Sequence, residues 1–489
     1  MKVKIVDKKA KIDNKSVIIH LITKENNPLK LDKKEFKNEY GETFLFYDEK
    51  SKNMSVAIGL GEEKHLDVAK LEHVGNIILK YVEKNKFKNI TLVYDGKNDL
   101  DTKMFNVLVG LELSNYSFNK YFLPEKQEEK SIKLESVAVV ADNVKNMEKN
   151  YKDFLVIKEN VFFCRNLVNE PANVINPDTY SEICEQLVDY GLDVEILGED
   201  EMADLGMNSL LAVGQGSVYE SKLVVLKWQG LKKFENPVAF VGKGITFDSG
   251  GLSLKPDQSM YDMKSDMAGS AVVVATMKLL AQRKAKVNAV GVIGLVENMP
   301  SGSAVKPGDV VESMSKQTVE ILCTDAEGRL ILADELYYAV TNFNPTVVID
   351  LATLTGACCV ALGSVNAGVF TNNDKLAEEI SKSSKEVNEN TWRLPLGELG
   401  SAYDKMMNSS VADVKNISGV RLAGAITAAQ FLQRFINKHK KWAHIDIAGT
   451  VFLTSAESYG AKGIYTVNDG ATGYGVRLLN NLICKYYEK

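Results

Sequence analysis

The sequence predicts an α/β protein with a smaller N-terminal α/β domain over residues 1–150, a connecting helix over 151–170 and a larger C-terminal domain over 171–489. The larger domain is expected to be a three-layer α/β/α arrangement around a mostly parallel, twisted sheet. Three observations predict this. The first stretch is lysine-rich and carries short alternating strands. A long helical pattern then stops at Asn169-Glu170-Pro171, because proline disfavours helix in the residue before it. Beyond that point near-continuous apolar runs alternate with amphipathic helices, the pattern of a sheet covered on both faces.

In the first part, Ser16-Val17-Ile18-Ile19-His20-Leu21-Ile22 and Ile90-Thr91-Leu92-Val93-Tyr94 read as strands, with a helical pattern over Lys70–Lys84 between them. The charged stretch Pro124–Lys130 reads as a turn before the strand Ser136–Val140. The connecting helix covers Met147–Asn169. The second part places strands at Lys222–Leu226, Val238–Val241, Asn288–Leu295, Thr346–Leu351 and Trp442–Ile447. Helices fall at Ala268–Gln282, Arg329–Thr341 and Ile426–Asn437. The least charged stretch, Leu351–Phe370, reads as a buried strand and loop. Gly214-Gln215-Gly216-Ser217 lacks the remaining residues of a phosphate-binding loop and reads as a turn. His444 reads as a packed, hydrogen-bonded strand residue.

Composition narrows the function. Formal net charge is −5 over 489 residues, and no arginine precedes Arg165, which argues against nucleic acid and against an anionic membrane surface. The opening Met1–Lys9 has no apolar run of signal-peptide length. The six cysteines are scattered without a CxxC pair, the usage of reduced cytoplasmic thiols.

Chemistry gathers in two clusters. The first, Val241-Gly242-Lys243-Gly244-Ile245-Thr246-Phe247-Asp248-Ser249-Gly250-Gly251, follows a strand directly, with Lys255, Asp262, Met263 and Asp266 soon after. The second, Thr324-Asp325-Ala326-Glu327-Gly328-Arg329-Leu330, enters a helix. A strand-end turn and two helix starts can aim Asp248, Asp266, Asp325 and Glu327 at one point beyond the carboxyl ends of the strands. Four carboxylates there repel one another unless cations intervene. Oxygen-rich sites suit Mg²⁺ and Mn²⁺, and Zn²⁺ also accepts them. Two divalent ions about 3.5–4 Å apart form a hydrolytic device. The five histidines form no HExxH. Taken singly, Asp248 is a turn residue, Asp325 and Glu327 are acids that favour a helix start, and Lys243 and Lys255 are surface lysines. Their joint occurrence at consecutive strand ends favours the metal reading.

These segments resemble the signatures of the leucine aminopeptidase, or cytosol aminopeptidase, family. The family signature Asn-Thr-Asp-Ala-Glu-Gly-Arg-Leu is met by Cys323-Thr324-Asp325-Ala326-Glu327-Gly328-Arg329-Leu330, with one departure at Cys323. Gly242–Gly251, Arg165–Pro171, Ala352–Ala357 and Gly473–Arg477 also match, so the resemblance covers the chain from about residue 160 to its end. The N-terminal part offers no motif that matches.

The resemblance implies a di-metal peptidase domain over 171–489 that holds two divalent ions per subunit, Zn²⁺ or Mn²⁺. One ion would lie on Lys243, Asp248, Asp266 and Glu327, the other on Asp248, Asp325 and Glu327. A lysine ligand is neutral, and lowering its pKa by about three units costs ~4 kcal/mol, which metal and burial must supply. A metal-bridged hydroxide would attack the peptide carbonyl, and binding of the free α-amine would restrict cleavage to the N-terminal residue. Lys255 would donate to the oxyanion, and Arg329 would hold a bicarbonate that acts as general base. Leu354 and Gly356 would hydrogen-bond the substrate through their backbones. Met263 and Ala448 would line an apolar pocket for leucine and other large apolar side chains. The partners implied are peptide substrates and further copies of the chain in a homohexamer. Cys323 reads as a buried, inert cysteine.

Two other classes remain at this point. One is an inactive scaffold or DNA-binding relative, against which the intact Lys243, Asp248, Lys255, Asp266, Asp325, Glu327 and Arg329 set speaks. The other is a different two-metal hydrolase such as a phosphoesterase, against which the peptidase signature speaks.

Overall fold

Burial on alternate or continuous faces sorts the strands into two main sheets in a computed structural model, one in each of two units. The units are built on Met1–Lys158 and on Glu159–Ala461 with Asp469–Lys489. The structure describes the whole chain except residues 11, 12, 14, 33, 50, 97, 98, 455–465, 468 and 489.

The first unit carries a six-stranded sheet in the order Lys2–Asp7, Ser136–Ala141, Asn89–Tyr94, Val17–Ile22, Asn53–Gly59, Thr43–Asp48. Only its edge strand Thr43–Asp48 runs antiparallel to its neighbour. The strand Val17–Ile22 is central and almost wholly buried, as its unbroken Val-Ile-Ile run requires. The helix Val68–Lys84 begins at Asp67, whose carboxylate accepts from the Lys70 amide at 2.8 Å. Pro124–Lys130 is a helix, not the expected turn. Proline at its first position, Glu125 in the first turn and Lys130 in the last suit the helix dipole, so charges that looked like loop composition are end preferences.

The helix Val144–Asn169 follows and ends where Glu170-Pro171 was expected to stop it. The second unit has an eight-stranded sheet in the order Thr391–Arg393, Ala367–Thr371, Trp442–Asp446, Val347–Ala352, Val238–Asp248, Asn288–Asn298, Lys222–Gln229, Asp193–Leu197. The four strands from Trp442–Asp446 to Asn288–Asn298 are mutually parallel, and antiparallel pairs flank them. Neighbouring residues of a strand point to opposite faces. A Cβ on Gly242 would meet Ser270 of the helix Ala268–Gln282, whereas a Cβ on Gly328 of the helix Gly328–Phe343 would meet Lys243. These helices therefore cover opposite faces, which makes three layers. Leu351–Phe370 holds more than a strand and loop: the helix Gly356–Leu362 lies within it, capped by the Thr355 side chain on the Cys358 amide. Gly214–Ser217 is the end of a short helix and the turn after it.

Strand order fixes where a ligand site can form. The chain runs from Val238–Asp248 to Asn288–Asn298 on one side and later to Val347–Ala352 on the other. Connections thus leave in opposite directions at the carboxyl end of Val238–Asp248, opening a crevice there. All six cysteines are free. His444 is buried in its strand, with Nδ1 2.5 Å from Asp350 Oδ1, and Trp442 Nε1 donates to Asp350 Oδ2 at 2.7 Å. Burial alone would lower the His444 pKa, but the Asp350 carboxylate raises it. No described helix is long and apolar enough to cross a membrane.

Candidate metal centre

Asp248 is the last residue of its strand, Asp266 ends the short helical turn Tyr261–Ser265, and Glu327 immediately precedes the helix Gly328–Phe343. Lys243 lies inside the same strand as Asp248 and reaches along the sheet toward this end. Its path depends on Gly328, since a Cβ there would come within 2.6 Å of Lys243 Cε. The turn after Asp248 needs glycine as well: Gly250 and Gly251 have φ of +85° and +62°.

The structure brings all five expected ligands and Lys255 together. One carboxylate oxygen from each of Asp248, Asp325 and Glu327 lies within 4.8 Å of the others. Lys243 Nζ sits 2.8 Å from Asp266 Oδ1 and 2.7 Å from Glu327 Oε1, and donates to the Thr353 carbonyl at 2.9 Å. Lys255 Nζ pairs with Asp248 Oδ2 at 2.8 Å and with Asp325 Oδ1. Lys243, Asp248, Asp266 and Glu327 are each no more than 5% exposed, whereas Asp325 is open to solvent.

Electrostatics follow from this packing. Burial and the nearby Glu327 raise Asp248 to about 7, against the pull of Lys255 and Lys243. Burial pushes Asp266 well above the usual carboxylate range, only partly opposed by Lys243. Glu327 is as buried, yet Lys243 and Lys255 hold it below its ordinary value. Burial would discharge both lysines, but the surrounding carboxylates keep their pKa values raised. Lys243 and Asp266 are both shifted upward although they are paired. The short Lys243–Asp266 contact favours the charged pair, with burial accounting for the strained acid.

The donor set fits divalent cations. It is rich in oxygen, it converges, and Asp266 Oδ2 is buried without a hydrogen-bond partner among the described residues. A buried carboxylate oxygen with no donor is the atom a cation satisfies.

The remaining expected residues form the surroundings. Arg329 is buried, its Nη1 donates to the Asn416 carbonyl at 2.7 Å, and its Nε has no partner among the described residues. Burial lowers its pKa to about 10, which leaves it charged at neutral pH. Met263 is half-buried on the turn that leads to Asp266. Leu354 and Ala448 meet at one carboxylate: their amides donate to Asp446 Oδ1 at 3.3 and 3.2 Å. Gly356 is exposed, and beyond its chain neighbours and its own helix backbone no atom lies within 4 Å of where its Cβ would stand. Cys323 is half-buried rather than buried, because it lies on the open turn that carries Asp325.

Sequence reasoning missed Asn298, Asn416 and Asp446 as parts of this site. Asn298 Nδ2 donates to Asp248 Oδ1 at 2.7 Å and to the Thr324 carbonyl at 3.0 Å. Asp446 also accepts from Thr355 Oγ1 at 2.6 Å. The one signal available was position: Asn298 ends the apolar strand beside Asp248, and Asp446 ends an apolar strand one further along the sheet on the other side.

Comparison with known proteins agrees with this geometry. Residues 162–480 match the catalytic-domain model of the cytosol aminopeptidase family, and residues 28–122 match its N-terminal-domain model. A "probable cytosol aminopeptidase" of Rickettsia felis is 48% identical over 436 residues, 88% of this chain and 85% of that one. The chain belongs to the cytosol aminopeptidase family. A Caulobacter vibrioides relative with the same description is 52% identical over 381 residues, 78% of this chain and 75% of that one. Among solved structures, the bottromycin maturation enzyme BotP in complex with Mn superposes with a TM-score of 0.83 at 30% identity, over 96% of this chain and 98% of that one. Membership extends to the N-terminal part, where no motif had matched. Family and acidic cluster together support a metal-dependent aminopeptidase.

Proposed function

We propose that this chain removes N-terminal residues, preferably leucine and other large apolar ones, from small peptides with two divalent cations, Zn²⁺ or Mn²⁺, on Lys243, Asp248, Asp266, Asp325 and Glu327. The observation that carries this reading is the convergence of Asp248, Asp325 and Glu327 oxygens within 4.8 Å at the crevice. When bound, the cations supply a hydroxide nucleophile at neutral pH and polarise the scissile carbonyl.

The chain's own groups do the rest. By the family resemblance, Asp248 and Glu327 would be shared by both cations, with Lys243 and Asp266 completing one set and Asp325 the other. Lys255 keeps its proton because Asp248 and Asp325 flank it. It therefore donates to the oxyanion that develops on the carbonyl oxygen. Arg329 presents a buried Nε–H suited to an anion, which supports bicarbonate there as the general base. Leu354 orients the peptide through its carbonyl, since its amide donates to Asp446, and Gly356 through its backbone in open space. Met263 and Ala448 form the apolar pocket for the first side chain. The relatives' description as cytosol enzymes supports a cytoplasmic location. By family resemblance the working assembly is a homohexamer.

Hydrolysis of leucyl p-nitroanilide tests this, beside its N-acetylated form and alanyl, glycyl and glutamyl analogues. Turnover that needs the free amine and is fastest for leucine is expected. Equal turnover of the acetylated substrate would refute exopeptidase action. Phosphate-ester hydrolysis or salt-dependent DNA retention without peptidase activity would favour the alternative classes.

A further inference from the structure

We propose that Asn416 is a positioning residue for the metal centre, clamping the main chain of the turn that carries Asp325 and Glu327. This rests on the reading above that those two residues hold cations. Asn416 follows the short strand Val414–Lys415, which pairs in parallel with Thr318–Glu320. The two strands leave their small sheet side by side, so the residue after one lies against the turn after the other.

Asn416 is fully buried. Its Oδ1 accepts from the amides of Leu322 at 2.8 Å and Cys323 at 3.3 Å. Its Nδ2 donates to the carbonyls of Cys323 at 2.6 Å and Ala326 at 3.3 Å. Its own amide donates to Glu320 O at 2.9 Å, and its carbonyl accepts from Arg329 Nη1 at 2.7 Å. A primary amide alone among short side chains offers two donors and a two-sided acceptor on one rigid plane. Here both ends are spent on the turn, from the residue before Cys323 to the residue before Glu327. One residue therefore sets the position of Asp325, the approach of Glu327 and the orientation of Arg329.

The clamp grips residue 323 by its main chain and makes no use of its side chain. This accounts for a cysteine at the signature position where the family has asparagine. The side chain at 323 can change while the amide and carbonyl that Asn416 holds stay in place.

The test uses full-length, metal-stripped protein and Mn²⁺ alone as probe, with free Mn²⁺ measured by electron paramagnetic resonance. Thermal melting of the metal-stripped protein runs beside it. Asn416→Asp keeps shape and acceptor but turns an oxygen toward the Cys323 and Ala326 carbonyls, while Asn416→Ala removes the clamp. Measured well below their melting temperatures, both are expected to bind Mn²⁺ about 10–100-fold more weakly. Cys323→Asn is expected to bind as the wild type does. Unchanged Mn²⁺ affinity in a folded Asn416 variant would overturn the proposal, because a purely structural residue lowers the melting temperature and leaves the affinity alone. Failure of both variants to fold, or weakening by Cys323→Asn as large as theirs, would overturn it too. A wild-type protein that binds no Mn²⁺ would remove the metal-centre reading itself, and the proposal with it.

Discussion

Asn298 and Asp248 stand opposite one another at the ends of neighbouring parallel strands, and the Asn298 amide donates to Asp248 Oδ1 at 2.7 Å. The same nitrogen donates to the Thr324 carbonyl, one residue before Asp325. One side chain thereby joins the strand-end carboxylate to the turn that supplies the next. Asn298→Ala should weaken metal binding about 10–100-fold, the usual cost of removing a group that orients a ligand. Isothermal titration of the metal-stripped variant checks this.

Lys255 is expected to act on the oxyanion and not as a ligand. Lys255→Ala should lower kcat by about 10²–10³ and leave KM and bound metal nearly unchanged. Steady-state kinetics with metal analysis separates this from a ligand, whose loss would also empty the centre.

Metal affinity should rise with pH. Asp248 holds its proton up to about 7, because burial and Glu327 favour the neutral acid. Cations bind its ionised form, so below pH 7 they must displace that proton, and the apparent affinity should fall about tenfold per pH unit for each proton displaced. Lys243, raised by Asp266 and Glu327 despite burial, must release its own proton to become a ligand. The climb should therefore continue above pH 7. Mn²⁺ dissociation constants measured from pH 6 to 9 would contradict this if they were flat.

Gly328→Ala places a methyl group 2.6 Å from Lys243 Cε and 2.8 Å from its Nζ. A flexible lysine end can move aside, so the stability cost should stay within about 1–3 kcal/mol. Its displacement from Asp266 and Glu327 should nevertheless reduce metal affinity markedly. Melting curves and Mn²⁺ titration of the same sample compare the two effects.

The four expected carboxylate ligands were legible because each sits at local punctuation: Asp248 before a glycine turn, Asp325 and Glu327 before a helix, Asp266 before another; Lys243 lies inside a strand and its role as a ligand came only with the family resemblance. Their convergence followed from the strand–helix alternation. Asn298, Asn416 and Asp446 carry no such mark, since their roles arise only from register between strands distant in sequence. The edge strand Asp193–Leu197 and the strand Ala367–Thr371 were missed for a related reason: short runs do not declare themselves without their neighbours. Pro124–Lys130 was misread because helix-end charges and loop charges look alike in a sequence.

The most direct test is to strip the protein of metal, titrate Mn²⁺ back and follow leucyl p-nitroanilide hydrolysis in the wild type and in Asp325→Ala. Activity that is absent without metal, returns with Mn²⁺ in the wild type and stays absent in a folded Asp325→Ala is the predicted result. Turnover by the stripped protein, or undiminished turnover in Asp325→Ala, would contradict a centre built on these carboxylates.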